Sequence, residues 1–326
     1  MKLFIKGMLC ASLMVTGSIG KDVVITTEKE TVSIQSNTAD IQIFTSDNTD
    51  GKITPASIEE AFKKAGLFVS ANRDMNGPFK KQFKETTFDV YNLFTYFSKK
   101  ETVALVKKYP NIGLFAPLSM SIYTKKGKKK ISASSLTIEA VAKILKIPVD
   151  DKDLVKVFTM SKEALKAAMP NGKYETNSYS VQKLIGEAVS KYTMEMDEEE
   201  WDDEFGEFQI EFEGQLAPNG FVKAGFNDMT FLFDEVNYEG FDIYSVYSIC
   251  KLPVIYTVAK VYPEAGAYAP CSLYMSKKKD DKNMNIAFPS VYNWISSMDI
   301  KDEKLLNALK EAQKSMNKIL TDLTAE

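Results

Sequence analysis

The chain repeats itself, and this limits its possible folds more than any other feature. Displaced by 153 positions, residues 88–119 lie on residues 241–272 without a gap and match at 10 of 32 positions. The matches are Phe88/Phe241, Asp89/Asp242, Tyr91/Tyr244, Lys107/Lys260, Tyr109/Tyr262, Pro110/Pro263, Gly113/Gly266, Ala116/Ala269, Pro117/Pro270 and Ser119/Ser272. A displacement of 154 brings Gly66/Gly220, Asp74/Asp228 and Met75/Met229 into line, so the copies differ by one residue between these blocks. Two copies of one domain are expected, at residues 21–170 and 171–326, and a length of 326 residues suits two domains.

Both copies read alike in secondary structure. In the first, residues 38–44 have strand character, and Thr54-Pro55 opens a helix through Ile58, Phe62 and Ala65 that Gly66 closes. In the second, a strand near 189–196 precedes a helix whose Trp201, Phe205, Phe208 and Phe212 fall on one face. The acidic run 197–204 fills the first turns of that helix, where negative charge suits the helix dipole. A strand pair follows in each copy, 67–72 with 88–97 and 221–226 with 241–250. Short helices at 99–109 and 252–262 end in a Pro-x-x-Gly turn. Strands near 118–123 with 130–132, and 271–275 with 284–287, lead into helices at 138–145 and 154–169, and at 291–297 and 302–323. Leu305, Leu309, Ala312, Met316, Ile319 and Leu323 form one apolar stripe on the last of these, suited to packing on a sheet. The expected fold class is α+β: two tandem β-α-β-β-α-β-β-α domains, each a mainly antiparallel sheet backed by helices.

Two short motifs carry a family resemblance. A cysteine closes the third strand of copy two, in Ser248-Ile249-Cys250-Lys251-Leu252-Pro253, and Ala269-Pro270-Cys271-Ser272 opens the fourth. With the element order, this resembles the domain-of-unknown-function family 302, whose pattern is a strand ending in Cys-Asn-Pro, a short helix, then Leu-Pro-Cys entering a strand. Here Lys251-Leu252 separates Cys250 from Pro253, and copy one has Phe97 and Leu118 at the cysteine positions. The resemblance spans some 125 residues of each half. It implies a small α+β domain of TATA-binding-protein-like or helix-grip type, found singly and in tandem, with no activity attached. A tandem pair implies a pseudo-two-fold arrangement that stands in for a homodimer, so that the chain itself is expected to be a monomer.

Residues 1–20 suggest a compartment. Lys2 and Lys6 precede an apolar stretch of about 13 residues, shorter than the roughly 20 needed to span a bilayer. Ser18-Ile19-Gly20 supplies small residues for cleavage before Lys21, the pattern of a signal peptide. Leu9 before Cys10 is too bulky for a lipoprotein site. No other apolar run approaches membrane length, so an exported, periplasmic protein is expected, with no membrane span after cleavage.

Composition narrows the chemistry. There is no histidine, which removes Ser-His-Asp and Cys-His catalysis and imidazole metal sites. Arg73 is the only arginine among 41 basic residues, and the formal charge of −3 offers no basic field for nucleic acid. The lysine runs 125–130 and 277–282 fall at equivalent hairpin tips and read as solvated loops. Arg73 reads as half of a surface ion pair. No phosphate-loop, dinucleotide, nucleophile-elbow or Cys-x-x-Cys motif is present, so no cofactor and no metal are expected.

Cys250 and Cys271 admit three readings: a structural disulfide, a redox or metal site, or two buried free thiols. Tyr109, Pro117, Tyr262 and Pro270 either line a ligand groove or fix the helix-to-strand turn. Two functions are compatible with these features. One is a non-catalytic module that binds a small ligand or a periplasmic protein. The alternative is a hydrolase-like or thiol-redox enzyme using carboxylates, tyrosine or the cysteine pair. Export has a direct test: amino-terminal sequencing of periplasmic material should begin at Lys21, and recovery of Met1 from the cytoplasm would refute it.

Overall fold

The computed structural model describes residues 23–27, 30–34, 39–176 and 180–325. Residues 1–20, expected from the sequence to be a signal peptide, lie outside that set. Strands β1 (Val23–Thr27) and β2 (Glu30–Ile34) form an antiparallel hairpin with Val23 opposite Ile34. This hairpin belongs to a separate unit, residues 1–37, from the remainder of the chain.

From residue 38 the repeat takes physical form. The first copy runs β3 (Ile41–Asp47), α1 (Pro55–Lys64), β4 (Phe68–Asp74), α2 (Asn76–Phe83), β5 (Phe88–Phe97), α3 (Lys99–Lys108), a 3-10 turn at Pro110–Leu114, β6 (Leu118–Lys125), β7 (Lys130–Leu136), α4 (Ile138–Leu145), α5 (Lys152–Ala168) and the short β8 (Lys173–Tyr174). The second runs β9 (Val189–Glu195), α6 (Trp201–Leu216), β10 (Val222–Asp228), α7 (Thr230–Asp234), β11 (Phe241–Cys250), α8 (Leu252–Ala259), a 3-10 turn at Pro263–Tyr268, β12 (Cys271–Lys278), β13 (Asn283–Pro289), α9 (Tyr292–Ser297) and α10 (Glu303–Thr324). The sheets are ordered β4-β5-β6-β7-β3-β8 and β10-β11-β12-β13-β9, all neighbours antiparallel. Apart from β8, the order is the same. Even the irregularities repeat: β4 bulges between Val69 and Ala71 and β10 between Lys223 and Gly225, while β5 and β11 bulge at Phe88/Val90 and Phe241/Ile243. The fold is α+β, built from two tandem copies of one antiparallel, helix-backed sheet.

Local chemistry accounts for the elements. Thr54 caps α1 by accepting from Ser57 N–H, and Ser57 Oγ accepts from the Thr54 N–H. Pro55 occupies the first helical position, where no N–H is needed. In α6 the stripe expected from Trp201 to Phe212 buries Phe208, Phe212 and Leu216, and Asp202, Asp203 and Glu204 fill the first turn. Alternation in the strands then decides what each sheet face meets. On one face of the first sheet, Phe94 and Tyr96 pack edge-on against Phe62 of α1, and Tyr96 Oη is within hydrogen-bond distance of Ser161 Oγ in α5. The matching face of the second sheet buries Ile243, Tyr247, Ile249, Leu273 and Met275 against α6 and the α10 stripe at Met316, Ile319 and Leu320. The sequence patterns did not suggest α2 and α7. Both are short helices between the paired strands and begin where Asp74 and Asp228 accept local backbone N–H groups.

The other face of each sheet meets the other copy, and the repeated Tyr-Pro-x-x-Gly block sits at that junction. Tyr244 Oη donates to Pro110 O at 2.8 Å and accepts from Gly113 N–H at 2.9 Å. Its counterpart Tyr91 donates to Pro263 O at 3.1 Å. Ser119 Oγ donates to Pro270 O, and Ser272 Oγ returns the bond to Pro117 O. Both Pro117 and Pro270 follow cis peptide bonds. Gly113 and Gly266 are required because no side chain fits: a Cβ on Gly113 would lie 2.7 Å from Tyr274 Cβ, and one on Gly266 would overlap Ser121 Cβ. Five of the matched pairs therefore make one two-fold contact. Gly113→Ala should lower the melting temperature, since overpacking costs about 1–3 kcal/mol. Gly206→Ala in α6, where a Cβ meets nothing within 4 Å, should leave it unchanged or raise it. Calorimetry of the two variants checks both signs.

Candidate functional site

Strands β4 and β10 are edges of their own sheets, and they lie beside one another across the junction, where Ser70 Oγ donates to Asn227 Oδ1 at 3.1 Å. Between them is a cleft of about 260 Å³. Register explains its lining. Ala71 lies opposite Thr95 and Arg73 opposite Leu93, which puts all four on the face toward the second copy. Gly225 lies opposite Ser248 and Asn227 opposite Val246 on the facing sheet. Thr95 and Ser248 are themselves a repeat pair at the displacement of 153. Copy two adds Cys250, Leu252 and Pro270 to the wall, and copy one adds Met75 and Pro78. The lining is mainly apolar with a few polar groups, the composition of small-molecule sites.

Two buried polar atoms at this junction lack partners: Thr95 Oγ1 and Asn227 Nδ2. Arg73 is exposed on the cleft and has no ion pair among the described residues, contrary to the surface pair expected for it. Its neighbour Asp74 is occupied, its two oxygens accepting from the N–H groups of Asn76 and Gly77 at the start of α2.

Cys250 and Cys271 are free thiols, which corrects the disulfide reading. The ladder sets Cys271 opposite Ile249, not opposite Cys250. A bridge between adjacent strands needs Cβ atoms about 3.5–4.5 Å apart, and a one-residue offset puts the two thiols on opposite sides of the pleat. Cys271 donates to Tyr268 O at 3.4 Å. It borders an apolar cavity of about 60 Å³ behind the sheet, with Leu273, Trp294 and Met316. Cys250, at the strand end, borders both that cavity and the cleft. Burial pushes both thiols up to about 12, helped at Cys250 by the nearness of Cys271.

The other residues singled out in the sequence are separated. Pro270 walls the cleft. Pro117 is buried and accepts from Ser272. Tyr109 is half-buried and donates to Asp151, the cap of α5, at 3.2 Å. Tyr262 is half-buried at the end of α8, where burial raises its hydroxyl above the usual range. The lysine-run reading needs one correction. Lys277 is 3% exposed, paired with Asp242 at 2.6 Å and set over the Trp201 ring, because β12 extends to Lys278 and carries it inside. A second cluster, buried except for the exposed Lys143, ties the copies together: Asp40 accepts from Lys143 at 2.5 and 2.7 Å and from Ser297 at 2.7 Å, and Ser297 lies 2.6 Å from Tyr268 Oη.

The geometry defines a duplicated α+β protein whose cleft lies on the pseudo-two-fold junction. Residues 43–168 match the family model for Domain of unknown function DUF302. It is similar to the crystal structure of an uncharacterized conserved protein DUF302 from Bacillus stearothermophilus, at 16% identity over 43% of this chain and 99% of that one, with a TM-score of 0.35. No curated protein matches. None of the helices among the described residues is long and apolar enough to cross a membrane.

The thiols yield a sign as well as a rate. An acid whose folded pKa is raised stays protonated in the folded state while the unfolded state has lost its proton. Stability should therefore fall as pH rises from about 9, the unfolded thiol value, to about 12. At pH 8 both cysteines should react slowly with iodoacetamide in the folded protein and promptly in denaturant without reductant. Absence of titratable thiol at positions 250 and 271 in denaturant would contradict the free-thiol state.

Proposed function

We propose that this chain is an exported, periplasmic, non-catalytic module that binds a small ligand in the cleft between its two repeats. The cleft carries this reading. It lies where both copies contribute equivalent strands, and it combines an apolar lining with a buried polar atom, Thr95 Oγ1, that has no partner in the protein. Strand β4 of the first copy and strand β10 of the second make its two walls. The duplicated junction already buries the contact a homodimer would make, so the chain works as a monomer. The thiol-redox alternative requires thiolate at neutral pH, and burial holds both cysteines protonated far above it.

The test is native mass spectrometry of protein purified from its own compartment, beside Ala71→Phe, which fills the cleft from an edge strand. A small molecule retained by the natural chain and absent from a folded Ala71→Phe protein supports the reading. Turnover of a substrate that depends on Cys250 or Cys271 would replace it with the enzymatic one.

A further inference from the structure

The geometry points to the class of ligand: we propose that the cleft takes a small organic anion, a carboxylate with a compact apolar body, recognised by Arg73 and Thr95. This rests on the cleft being the binding site. Arg73 is the only arginine in the chain, and its guanidinium stands at the cleft without an ion pair among the described residues. A guanidinium is a planar fork of donors suited to a carboxylate. Thr95 is 1% exposed, lines the cleft, and its hydroxyl has no partner. A buried hydroxyl left without a partner is costly, and a ligand oxygen removes that cost.

A third donor lies at the same junction. Asn227 holds the position equivalent to Arg73. Its Oδ1 accepts from Ser70 Oγ, which leaves Nδ2, buried and unpartnered, as the free half of the amide. The nearby carboxylates are engaged locally: Asp74 accepts from Asn76 and Gly77, and Asp228 accepts from Thr230 through both its N–H and its hydroxyl. Lys223 adds a second cation to the lining, although its ammonium pairs with Glu213. A guanidinium and an unpartnered hydroxyl on the cleft lining, beside an Asp74 whose oxygens already accept from Asn76 and Gly77, suit an oxyanion, with the Asn227 amide close by at the junction. The remaining wall, with Leu93, Met75, Pro78 and Leu252, suits a hydrocarbon body. A volume of about 260 Å³ lies just under the usual range for ligand pockets, beginning near 300 Å³, and keeps the ligand compact.

The test uses the full chain and three probes: phenylacetate, benzyl alcohol as a neutral ligand of similar shape, and inorganic phosphate as an oxyanion with no apolar body. Amide NMR titration should show phenylacetate shifting Ala71, Arg73, Thr95 and Gly225, with the other two binding at least tenfold more weakly. Arg73→Lys keeps the charge but loses the fork, and should weaken phenylacetate about tenfold. Thr95→Val should weaken it while leaving the melting temperature equal or higher, because the variant removes a hydroxyl without a partner. A merely structural threonine would show no binding loss. If benzyl alcohol binds the cleft as well as phenylacetate, the anion assignment fails and the cleft stands. If phosphate alone binds, the ligand is inorganic and the assignment likewise fails. If no probe shifts these amides, and native mass spectrometry finds no retained molecule that Ala71→Phe removes, both the assignment and the cleft reading fall.

Discussion

The structure depends on a reciprocal contact: each copy seats its Tyr-Pro-x-x-Gly turn on the bare face of the other copy's sheet. A sheet backed by helices on one face still has a second face to cover, and here the covering is the other sheet's turn. Tyr91 and Tyr244 reach across to carbonyls of Pro263 and Pro110. Burial raises both phenols well above their usual value, which favours the neutral, donating form. The inner faces carry small hydroxyl residues where a single-domain core would carry large apolar ones. Ser121 and Ser134 lie 2.6 Å apart and donate to Pro263 O and Glu264 O. Only short side chains let a backbone turn approach a sheet this closely. The serine-rich β6 and β7 are therefore as much a part of the junction as the glycines.

The amino-acid sequence made the architecture legible because the copies share local rules. Thr54-Pro55, the α6 stripe and the α10 stripe each describe an element that needs only its own residues to be recognised. What those signals could not reveal was the partner of an identity. Tyr109, Pro110, Gly113 and Pro117 repeat as a block, which suggests a turn or a groove. In the structure the partners of Pro110, Gly113 and Pro117 lie more than a hundred positions away. Tyr91/Tyr244 and Ser119/Ser272 stand elsewhere in the same alignment and are the other half of the contact. Reading matched residues as potential mates across a pseudo-two-fold axis would have paired them. The cleft was less legible still. Thr95 and Ser248 are not identical, and a half-buried edge strand carries no pattern to mark it. The cysteines misled because their spacing says nothing about ladder register, and register is what separates them.

Duplication within one chain does what a homodimer cannot, since each copy is free to change alone. Asp89 and Asp242 are the same residue, but Asp89 accepts from Gly127 N–H in a hairpin, whereas Asp242 holds buried Lys277. Phe97 and Leu118 fill by packing what Cys250 and Cys271 fill in the second copy. The junction identities are coupled, because a change in one turn must be met by a change in the opposing sheet.

The cleft shows the result of that freedom. A symmetric dimer would set two arginines or two asparagines across its axis, giving a site with equal ends. Here the pair is Arg73 and Asn227, one charged and exposed, the other an amide whose donor is buried. Around the edge bulges, Ser70 of copy one meets Ala224 of copy two in the aligned position, so the bond to Asn227 is made from one side only. Thr95 keeps an unpartnered hydroxyl where Ser248 occupies its counterpart. Each difference polarises the site along the line joining the two edge strands. A ligand with one anionic end and one apolar end has a preferred direction in such a cleft, and the rigid two-fold scaffold around it holds the differences at fixed separation.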